Sequence, residues 1–192
     1  MVLGITGGIG VGKSAVCKIF ELLNCPVYDS DCQAKQLMDN SPRIKELLKN
    51  KIHPLAVSAD GKINRPLIAS EVFNSEAKLR ELNSIVHTHV REDAKNWIEA
   101  HSNYPLLIIE SAVLFQSNLA DLTDSVIEVT APRELRIIRV MQRNNLDESE
   151  VIRRIDSQQT EQQLCANNQT IKIINDGVHP ILPQVEALFS SL

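Results

Sequence analysis

Five short apolar runs along the chain predict β-strands, because glycine, proline or polar residues bound each of them. They cover residues 2–6, 25–28, 104–110, 125–130 and 170–174. The run that ends at Glu110 is continuously apolar, as expected of a strand that helices cover on both faces.

Between these runs, apolar residues recur at helical spacing. The predicted helices cover residues 13–24, 32–39, 42–50, 66–73, 76–100, 132–142 and 148–166, and a last helix follows residue 174. Strands that alternate with helices predict an α/β fold with a parallel sheet and right-handed crossovers. The helical block between the second and third strands is expected to be an insertion that carries substrate contacts.

Composition restricts the classes of function. The 192 residues are 43% hydrophobic and 23% charged, which is ordinary for a soluble globular protein. A net charge of −4 argues against a general binder of nucleic acids or of anionic membranes. No apolar run approaches the roughly 20 residues that span a bilayer, and the first residues do not resemble a signal peptide. Four cysteines without a CxxC pair predict free thiols in a reducing, cytoplasmic environment.

The clearest motif is a phosphate-binding loop at residues 7–14, which read GGIGVGKS and match G-x-x-x-x-G-K-[ST]. Its glycines allow successive backbone N–H groups to converge on phosphate oxygens. Lys13 is expected to contact the β- and γ-phosphates of ATP, and the Ser14 hydroxyl is expected to bind Mg²⁺. A dinucleotide-binding G-x-G-x-x-G does not fit, because Lys13 stands at the third glycine position. The motif therefore predicts a P-loop NTPase fold.

Among P-loop proteins, the sequence favours a small-molecule kinase. It has no Asn-Lys-x-Asp stretch to recognise guanine, and the strand before Glu110 does not lead into the D-x-x-G of a switch GTPase. The chain is also too short for an ATP-driven motor with additional modules. Two alternatives stay open. One is a different small-molecule kinase, such as a nucleoside-monophosphate or shikimate-type enzyme, and the other is a nucleotide-binding regulator that acts through a partner.

A kinase also needs a group that orients the acceptor hydroxyl. Asp29 and Asp31 follow the second predicted strand, where ligands bind in open α/β sheets, so at least one of them is a candidate catalytic carboxylate. The alternative is that one of them only caps the next helix. His87 and Arg91 lie one helical turn apart on the long predicted helix. His87 could be a partly buried structural residue, or the pair could contact an anionic acceptor.

Arginines are concentrated in the last third of this acidic chain. Arg136, Arg139 and Arg143 fall at helical spacing on one face, and Arg153 and Arg154 follow them. They could form a solvated basic face. Their density favours a mobile lid instead, whose guanidinium groups close on the phosphates.

Together these motifs resemble those of the dephospho-coenzyme A kinase family, and the resemblance covers nearly the whole chain. The opening GITGGIGVGKS at residues 4–14 is similar to the family's G-[LI]-T-G-G-I-G-x-G-K-[ST], which is narrower than a general P-loop. VYDSD at 27–31 resembles its V-x-D-x-D, and IVH at 85–87 with Arg91 resembles its h-h-H-P-x-h-R. Further similar segments are ESAVLF at 110–115, MQR at 141–143 with RIDSQ at 154–158, and IINDG at 173–177.

The resemblance implies a P-loop, nucleoside-kinase-like α/β fold that uses ATP and Mg²⁺ to phosphorylate the ribose 3′-hydroxyl of dephospho-CoA, the last step of coenzyme A synthesis. It implies one domain over residues 1–192. The core would cover 1–31, 104–138 and 167–192, the helical acceptor-binding insertion 32–103 and the lid 139–166. Dephospho-CoA and ATP would be the small-molecule partners of a monomer or weak homo-oligomer that binds neither nucleic acid nor membrane.

The resemblance also implies roles for single residues. Asp31 would be the catalytic carboxylate, while Lys13 and Arg143 would contact phosphates. The residues implied to bind the nucleotide are Gly8, Ile9, Gly10, Val11, Gly12, Lys13, Ser14, Ala15 and Asn175. Those implied to line the acceptor side are Thr6, Asp31, Lys35, His87 and Arg91, and those implied for the lid are Arg139, Arg154 and Gln158.

Three departures from the family pattern bear on these roles. Lys35 stands where the family often has arginine, so a bidentate contact would become a point charge. Thr88 replaces the usual proline after His87, and Gln116 replaces an acidic residue, so Gln116 is not expected to bind Mg²⁺. None of the three falls in the phosphate loop or at Asp31.

Overall fold

The computed structural model describes residues 1–191, with the side chains of all of these except Gln159, Thr160, Gln162 and Asn167. Leu192, the last residue of the predicted core segment, lies outside the described residues. Residues 1–191 contain the strands β1 (Val2–Thr6), β2 (Val27–Asp29), β3 (Leu107–Glu110), β4 (Ser125–Thr130) and β5 (Ile171–Ile174).

Nine α-helices accompany these strands within residues 1–191. They are α1 (Lys13–Leu22), α2 (Ser30–Asn40), α3 (Pro42–Lys51), α4 (Arg65–Phe73), α5 (Glu76–Ala100), α6 (Arg133–Asn144), α7 (Glu148–Asp156), α8 (Gln159–Asn167) and α9 (Ile181–Phe189). Within the same residues, none of the helices combines the length and the apolar character that crossing a membrane requires.

The strands form one parallel sheet in the order β2-β3-β1-β4-β5, as the alternation of strands and helices predicts. β1 lies at the centre, so both of its edges are hydrogen-bonded and its carboxyl end leads directly into the glycine-rich loop. Phe20 of α1 and Val185 of α9 pack with Ile5 and Ile127 of the sheet in one apolar core. Burial of these side chains holds α1 and α9 against the sheet and so fixes the carboxyl end of β1, where the loop begins.

Several element boundaries differ from the prediction, and three of the differences have a clear physical reason. β3 begins at Leu107 rather than at residue 104, because Pro105 has no N–H for the ladder and Leu107 is the first residue opposite β1. α1 ends before Asn24, which has a φ of 63°, in the left-handed region. Residues 148–166 form two helices rather than one, and the Ser157 hydroxyl donates to the Arg154 carbonyl at the break between them.

Contacts divide the chain into two units. The first, Met1–Asp29 with Trp97–Leu192, contains the sheet. The second, Ser30–Asn96, has its own apolar core, to which α2, α3, α4 and α5 all contribute. The predicted insertion, 32–103, extends further towards the carboxyl terminus than this second unit. Trp97 belongs to the first unit, where its ring centroid lies 5.4 Å from that of Tyr28 in β2.

Replacing Ile127 with alanine is expected to lower the free energy of unfolding by about 2–5 kcal/mol, because the side chain is fully buried in β4 and its removal leaves a cavity. Urea denaturation followed by circular dichroism measures the loss. The matched control is Ile138→Ala on α6, where half of the residue is exposed and the expected change is within about 0.5 kcal/mol. Equal losses in the two variants would contradict this position of the core.

Candidate active site

Glycines fold the loop between β1 and α1 tightly. Gly7, Gly10 and Gly12 have φ angles of 143°, 81° and 93°, which residues with a side chain rarely adopt. A Cβ atom on Gly7 would overlap the carbonyl oxygen of Val129, and one on Gly12 would overlap Nδ2 of Asn175. The loop therefore requires glycine at these positions, for both its backbone angles and its close neighbours.

Helix α1 begins at Lys13, and the preceding residue, Gly12, has no side chain to cap it. The helix dipole places partial positive charge at this end, which favours an anion at the loop. The Lys13 ammonium folds back over the loop and donates to the Gly7 carbonyl at 3.0 Å. Ser14 and Ala15 are exposed at the start of the helix. Backbone N–H groups, an ammonium and an exposed hydroxyl are thus gathered at one end of the sheet, a combination suited to phosphate and Mg²⁺.

Asn175 and Arg139 contact the loop from the side of β5 and α6. The Asn175 amide donates through Nδ2 to the Val11 carbonyl at 2.8 Å. Arg139 donates to the Asn175 side-chain oxygen at 3.1 Å, to the Asn175 carbonyl at 3.1 Å and to the Gly10 carbonyl at 3.4 Å. These contacts place the predicted nucleotide-binding residue Asn175 and the predicted lid residue Arg139 beside residues 10 and 11.

Of the other predicted lid and phosphate-binding residues, one contacts the loop and two have other partners. Gln158 lies at the loop, where its side-chain oxygen accepts a hydrogen bond from the Ile9 N–H at 2.7 Å. Arg154 is exposed and pairs with Glu150 at 2.6 Å. Arg143 is exposed at the end of α6, and its Nε donates to the Asn144 side chain at 3.0 Å. Phosphate contacts of Arg143 and Arg154 therefore stay predictions.

Two carboxylates occupy the ends of neighbouring strands beside the loop. Asp29 of β2 is the register partner of Glu110 of β3. Glu110 interacts with the Cys17 thiol of α1. Burial raises the pKa of that thiol far above its ordinary value, and the charges of Glu110 and Asp29 raise it further, whereas Lys13 acts in the opposite direction. Cys17 therefore stays a protonated donor to Glu110, in an environment that Asp29 and Lys13 share.

The predicted acceptor-side residues in the second unit lie on two helices. Asp31 is in the first turn of α2, two residues after Asp29, and Lys35 follows one turn later; both are exposed. His87 and Arg91 are half-buried on α5. Burial lowers the pKa of His87, so its imidazole is neutral near pH 7. The apolar faces of α2 and α5 pack in the same core, which fixes each helix within this unit.

Thr6 has a partner that the sequence pattern did not indicate. It is fully buried, and its hydroxyl donates to the Glu161 carboxylate of α8 at 3.2 Å. Glu161 also accepts from the N–H groups of Phe115 at 2.9 Å and of Gln116 at 3.1 Å. A single glutamate in a glutamine-rich helix matches no motif, so no signal in the sequence points to it. The acceptor contact of Thr6 stays a prediction.

Arg136 is the other residue whose position differs from the sequence-based expectation. Neither a solvated face nor an open lid describes it, because only 7% of the residue is exposed. Its Nε donates to the Ile9 carbonyl of the loop at 2.9 Å. Arg136 shares the buried face of α6 with Val140, four residues later. That i, i+4 spacing with an apolar residue is the signal that could have revealed its burial.

Comparison with known proteins identifies relatives of this chain. A sequence model of the family described as dephospho-CoA kinase matches residues 1–180. A dephospho-CoA kinase of Bacteroides fragilis is 35% identical over 190 residues, which are 99% of this chain and 92% of that relative.

Solved structures of similar fold cover nearly the whole chain. The crystal structure of TT1252 from Thermus thermophilus has a TM-score of 0.81 at 31% identity, over 100% of this chain and 97% of that one. The dephospho-CoA kinase from Campylobacter jejuni has a TM-score of 0.69 at 20% identity, over 99% and 96% of the two chains. The predicted P-loop kinase fold is confirmed.

The close approach of Gly12 to Asn175 generates a test of the loop. Gly12→Ala is expected to weaken binding of a non-hydrolysable ATP analogue at least about tenfold, because the new Cβ displaces Asn175 and the residue must keep a strained φ. Isothermal titration calorimetry measures the affinity.

The matched control is Gly61→Ala. Gly61 also has a positive φ, of 79°, but no described atom lies within 4 Å of a Cβ built there. Its variant therefore carries the backbone strain without the collision, and nucleotide affinity is expected to stay unchanged. Wild-type affinity in a folded Gly12→Ala protein would contradict the requirement for glycine.

Proposed function

The chain belongs to the dephospho-CoA kinase family, and from this premise we propose how its own residues carry out the family reaction. That reaction is the ATP-dependent phosphorylation of dephospho-CoA, the final step of coenzyme A biosynthesis. The family match over residues 1–180, with a complete phosphate loop inside it, carries this conclusion. Finer assignments follow, beginning with the ribose 3′-hydroxyl as the phosphoryl acceptor.

ATP binds through the loop in this proposal. Backbone N–H groups of the loop and the start of α1 surround the phosphates, and Lys13 supplies the charge on the β- and γ-phosphates. The contact of its ammonium with the Gly7 carbonyl supports this role, because it already holds the charge over the loop. Asn175 contributes by fixing Val11, whose carbonyl it binds at 2.8 Å.

Mg²⁺ fits the oxygen groups near the loop. This ion is usually held by one or two carboxylates together with substrate phosphates. The exposed hydroxyl of Ser14 and the neighbouring carboxylates of Asp29 and Glu110 are groups of the right kind. We assign Ser14 as the direct ligand and Glu110, oriented by the Cys17 thiol, as the supporting carboxylate. When bound, the ion neutralises charge on the phosphates.

Asp31 is the proposed catalytic carboxylate. In this role it accepts the proton of the ribose 3′-hydroxyl while the hydroxyl oxygen forms a bond to the γ-phosphorus and the bond to the ADP oxygen breaks. Support comes from its place in the first turn of α2, directly after the strand that ends at Asp29, and from the resemblance to V-x-D-x-D. The products are coenzyme A and ADP.

Lys35, His87 and Arg91 are proposed to bind the anionic acceptor. Lys35 and Arg91 would supply positive charge for its phosphates. His87 would contribute a hydrogen bond rather than charge, because burial lowers the pKa of its imidazole. Arg143 would contact the transferred phosphoryl group, and the lid would comprise Arg139, Arg154 and Gln158. The domain bounds, the monomeric or weakly associated state and the cytoplasmic location stay predictions.

The reaction itself is tested by mass spectrometry of dephospho-CoA incubated with the wild-type protein, ATP and Mg²⁺. The expected product carries one additional phosphoryl group at the ribose 3′ position. Shikimate and nucleoside monophosphates serve as alternative acceptors and are expected to remain unmodified. ATP turnover that ignores every acceptor and rises only with a protein partner would favour a regulator instead.

Asp31→Asn is expected to reduce kcat at least about 100-fold with little change in the KM for ATP, because it removes the proton acceptor and leaves the loop intact. A coupled assay of ADP release measures both constants. Asp29→Asn is the comparison variant, since the sequence alone leaves the two aspartates as alternatives. Normal turnover in Asp31→Asn with loss of turnover in Asp29→Asn would reverse the assignment.

Arg143→Ala is expected to lower kcat by the equivalent of about 3 kcal/mol, because it removes a charged donor from the transition state. Arg80→Ala is the control, since Arg80 is also exposed, pairs with Glu76 on the surface of α5 and lies outside the arginine-rich segment. Steady-state kinetics of both variants measure the change in kcat. An unchanged kcat in Arg143→Ala would remove that residue from the site.

A further inference from the structure

Arg136 extends from α6 to the phosphate loop and is buried there. Its Nε is occupied by the Ile9 carbonyl at 2.9 Å. Its Nη2 is also buried, and it has no hydrogen-bond partner among the described residues. The guanidinium is therefore held in place through Nε, while the N–H groups of Nη2 have no acceptor in the described part of the chain.

The unused nitrogen lies against the first residues of the loop. A Cβ on Gly8 would overlap Nη2, and it would lie 2.9 Å from Cζ of Arg136 and 3.2 Å from the side-chain oxygen of Gln158. The lack of a side chain at Gly8 thus makes room for the guanidinium. Lys13 reaches the same end of the loop, because its ammonium binds the carbonyl of the adjacent Gly7.

A cation in this position is costly without an anion. Burial lowers the pKa of Arg136, and the positive charge of Arg133 lowers it further, with Asp156 acting in the opposite direction. Asp156 is engaged by Arg133, with an N–O distance of 2.8 Å. A buried charge left without a full partner destabilises the folded protein, so a contact of this kind suggests that a ligand supplies the missing charge.

We propose that Arg136 binds the terminal phosphate of ATP, with Nε kept on the Ile9 carbonyl and Nη2 donating to a γ-phosphate oxygen. The assignment to the terminal phosphate follows from the position of Nη2 at Gly8, next to the residue whose carbonyl Lys13 binds. The start of α1 faces the inner phosphates, whereas the Lys13 ammonium, which serves the β- and γ-phosphates, lies at Gly7 next to Gly8. This role rests on the proposed binding of ATP by the loop.

Such a contact would stabilise the phosphoryl group most strongly in the transition state of its transfer. Negative charge is spread over the three equatorial oxygens of the phosphoryl group in the transition state, and an arginine that is already in place stabilises it without reorganisation. Arg136 meets that condition because its Nε is anchored to backbone. It would serve as an arginine supplied by the kinase's own core, in addition to the arginines proposed for the lid.

The test compares Arg136→Gln with Arg133→Gln. Arg133 lies on the same helix, is half-exposed and pairs with Asp156, so its variant controls for a lost charge on α6. Calorimetry with ADP and with a non-hydrolysable ATP analogue measures nucleotide binding, and ADP release measures kcat. The side-chain amide of Arg136→Gln still offers an N–H donor for the Ile9 carbonyl, so we expect wild-type affinity for ADP. We also expect at least about tenfold weaker binding of the ATP analogue and a kcat lower by about 10²–10³-fold. Arg133→Gln is expected to match the wild type in all three.

A purely structural role gives a different result. If Arg136 only clamps Ile9, Arg136→Gln weakens ADP and the ATP analogue equally and lowers the midpoint of thermal unfolding without nucleotide. The proposal predicts a midpoint at least equal to that of the wild type, because an uncompensated buried charge has been removed. Equal effects on the two nucleotides, or an unchanged kcat, overturn it.

Arg136→Lys keeps the positive charge and provides the same measurements if Arg136→Gln does not fold. One ammonium cannot bind the Ile9 carbonyl and a phosphate with the geometry of a guanidinium, so a loss selective for the ATP analogue is expected here too. A lysine variant with wild-type kinetics overturns the proposal. A wild-type protein that binds no ATP refutes the proposed function itself, whereas normal ATP binding in both Arg136 variants refutes only the inference about Arg136.

Discussion

Side-chain donors bind four carbonyl oxygens of the phosphate loop, and the site depends on this arrangement. Lys13 binds the carbonyl of residue 7 at 3.0 Å, Arg136 that of residue 9 at 2.9 Å, Arg139 that of residue 10 at 3.4 Å and Asn175 that of residue 11 at 2.8 Å. Carbonyl oxygens that faced a phosphate would repel it. Because these oxygens are held by donors, three of them cationic, the backbone N–H groups are the dipoles left for an anion.

The sheet brings these donors together from distant parts of the chain. β1 leads into the loop, β4 precedes the helix that carries Arg136 and Arg139, and β5 ends directly before Asn175. Parallel neighbours place their carboxyl ends at one edge, so residues more than 160 positions apart meet at hydrogen-bond distance, as Asn175 and Val11 do. The same edge carries Asp29 and Glu110 on the other side of the loop. The fold thus places Arg136, Arg139 and Asn175 on one side of the loop and the two carboxylates on the other.

The sequence predicted the parts of this arrangement that local pattern determines. The strands at 2–6 and 125–130, the long helix α5 and the loop with Lys13 are where the pattern places them. The spacing of Arg136 with Val140 could indicate burial, but not the contact with the loop, because that contact depends on how α6 packs against the loop. Glu161 matches no motif, since its partners are a hydroxyl and two backbone N–H groups from other elements. The choice of Asp31 over Asp29 came from family resemblance rather than from spacing.

Backbone amide resonances give the most direct measure of whether the loop binds the phosphates of ATP. With ¹⁵N-labelled protein, a titration with ATP is predicted to shift the amide signals of residues 10–15 strongly, while adenosine, which has no phosphate, leaves them nearly unchanged. Saturable ATP binding that moves other amides and leaves these six in place would contradict the account.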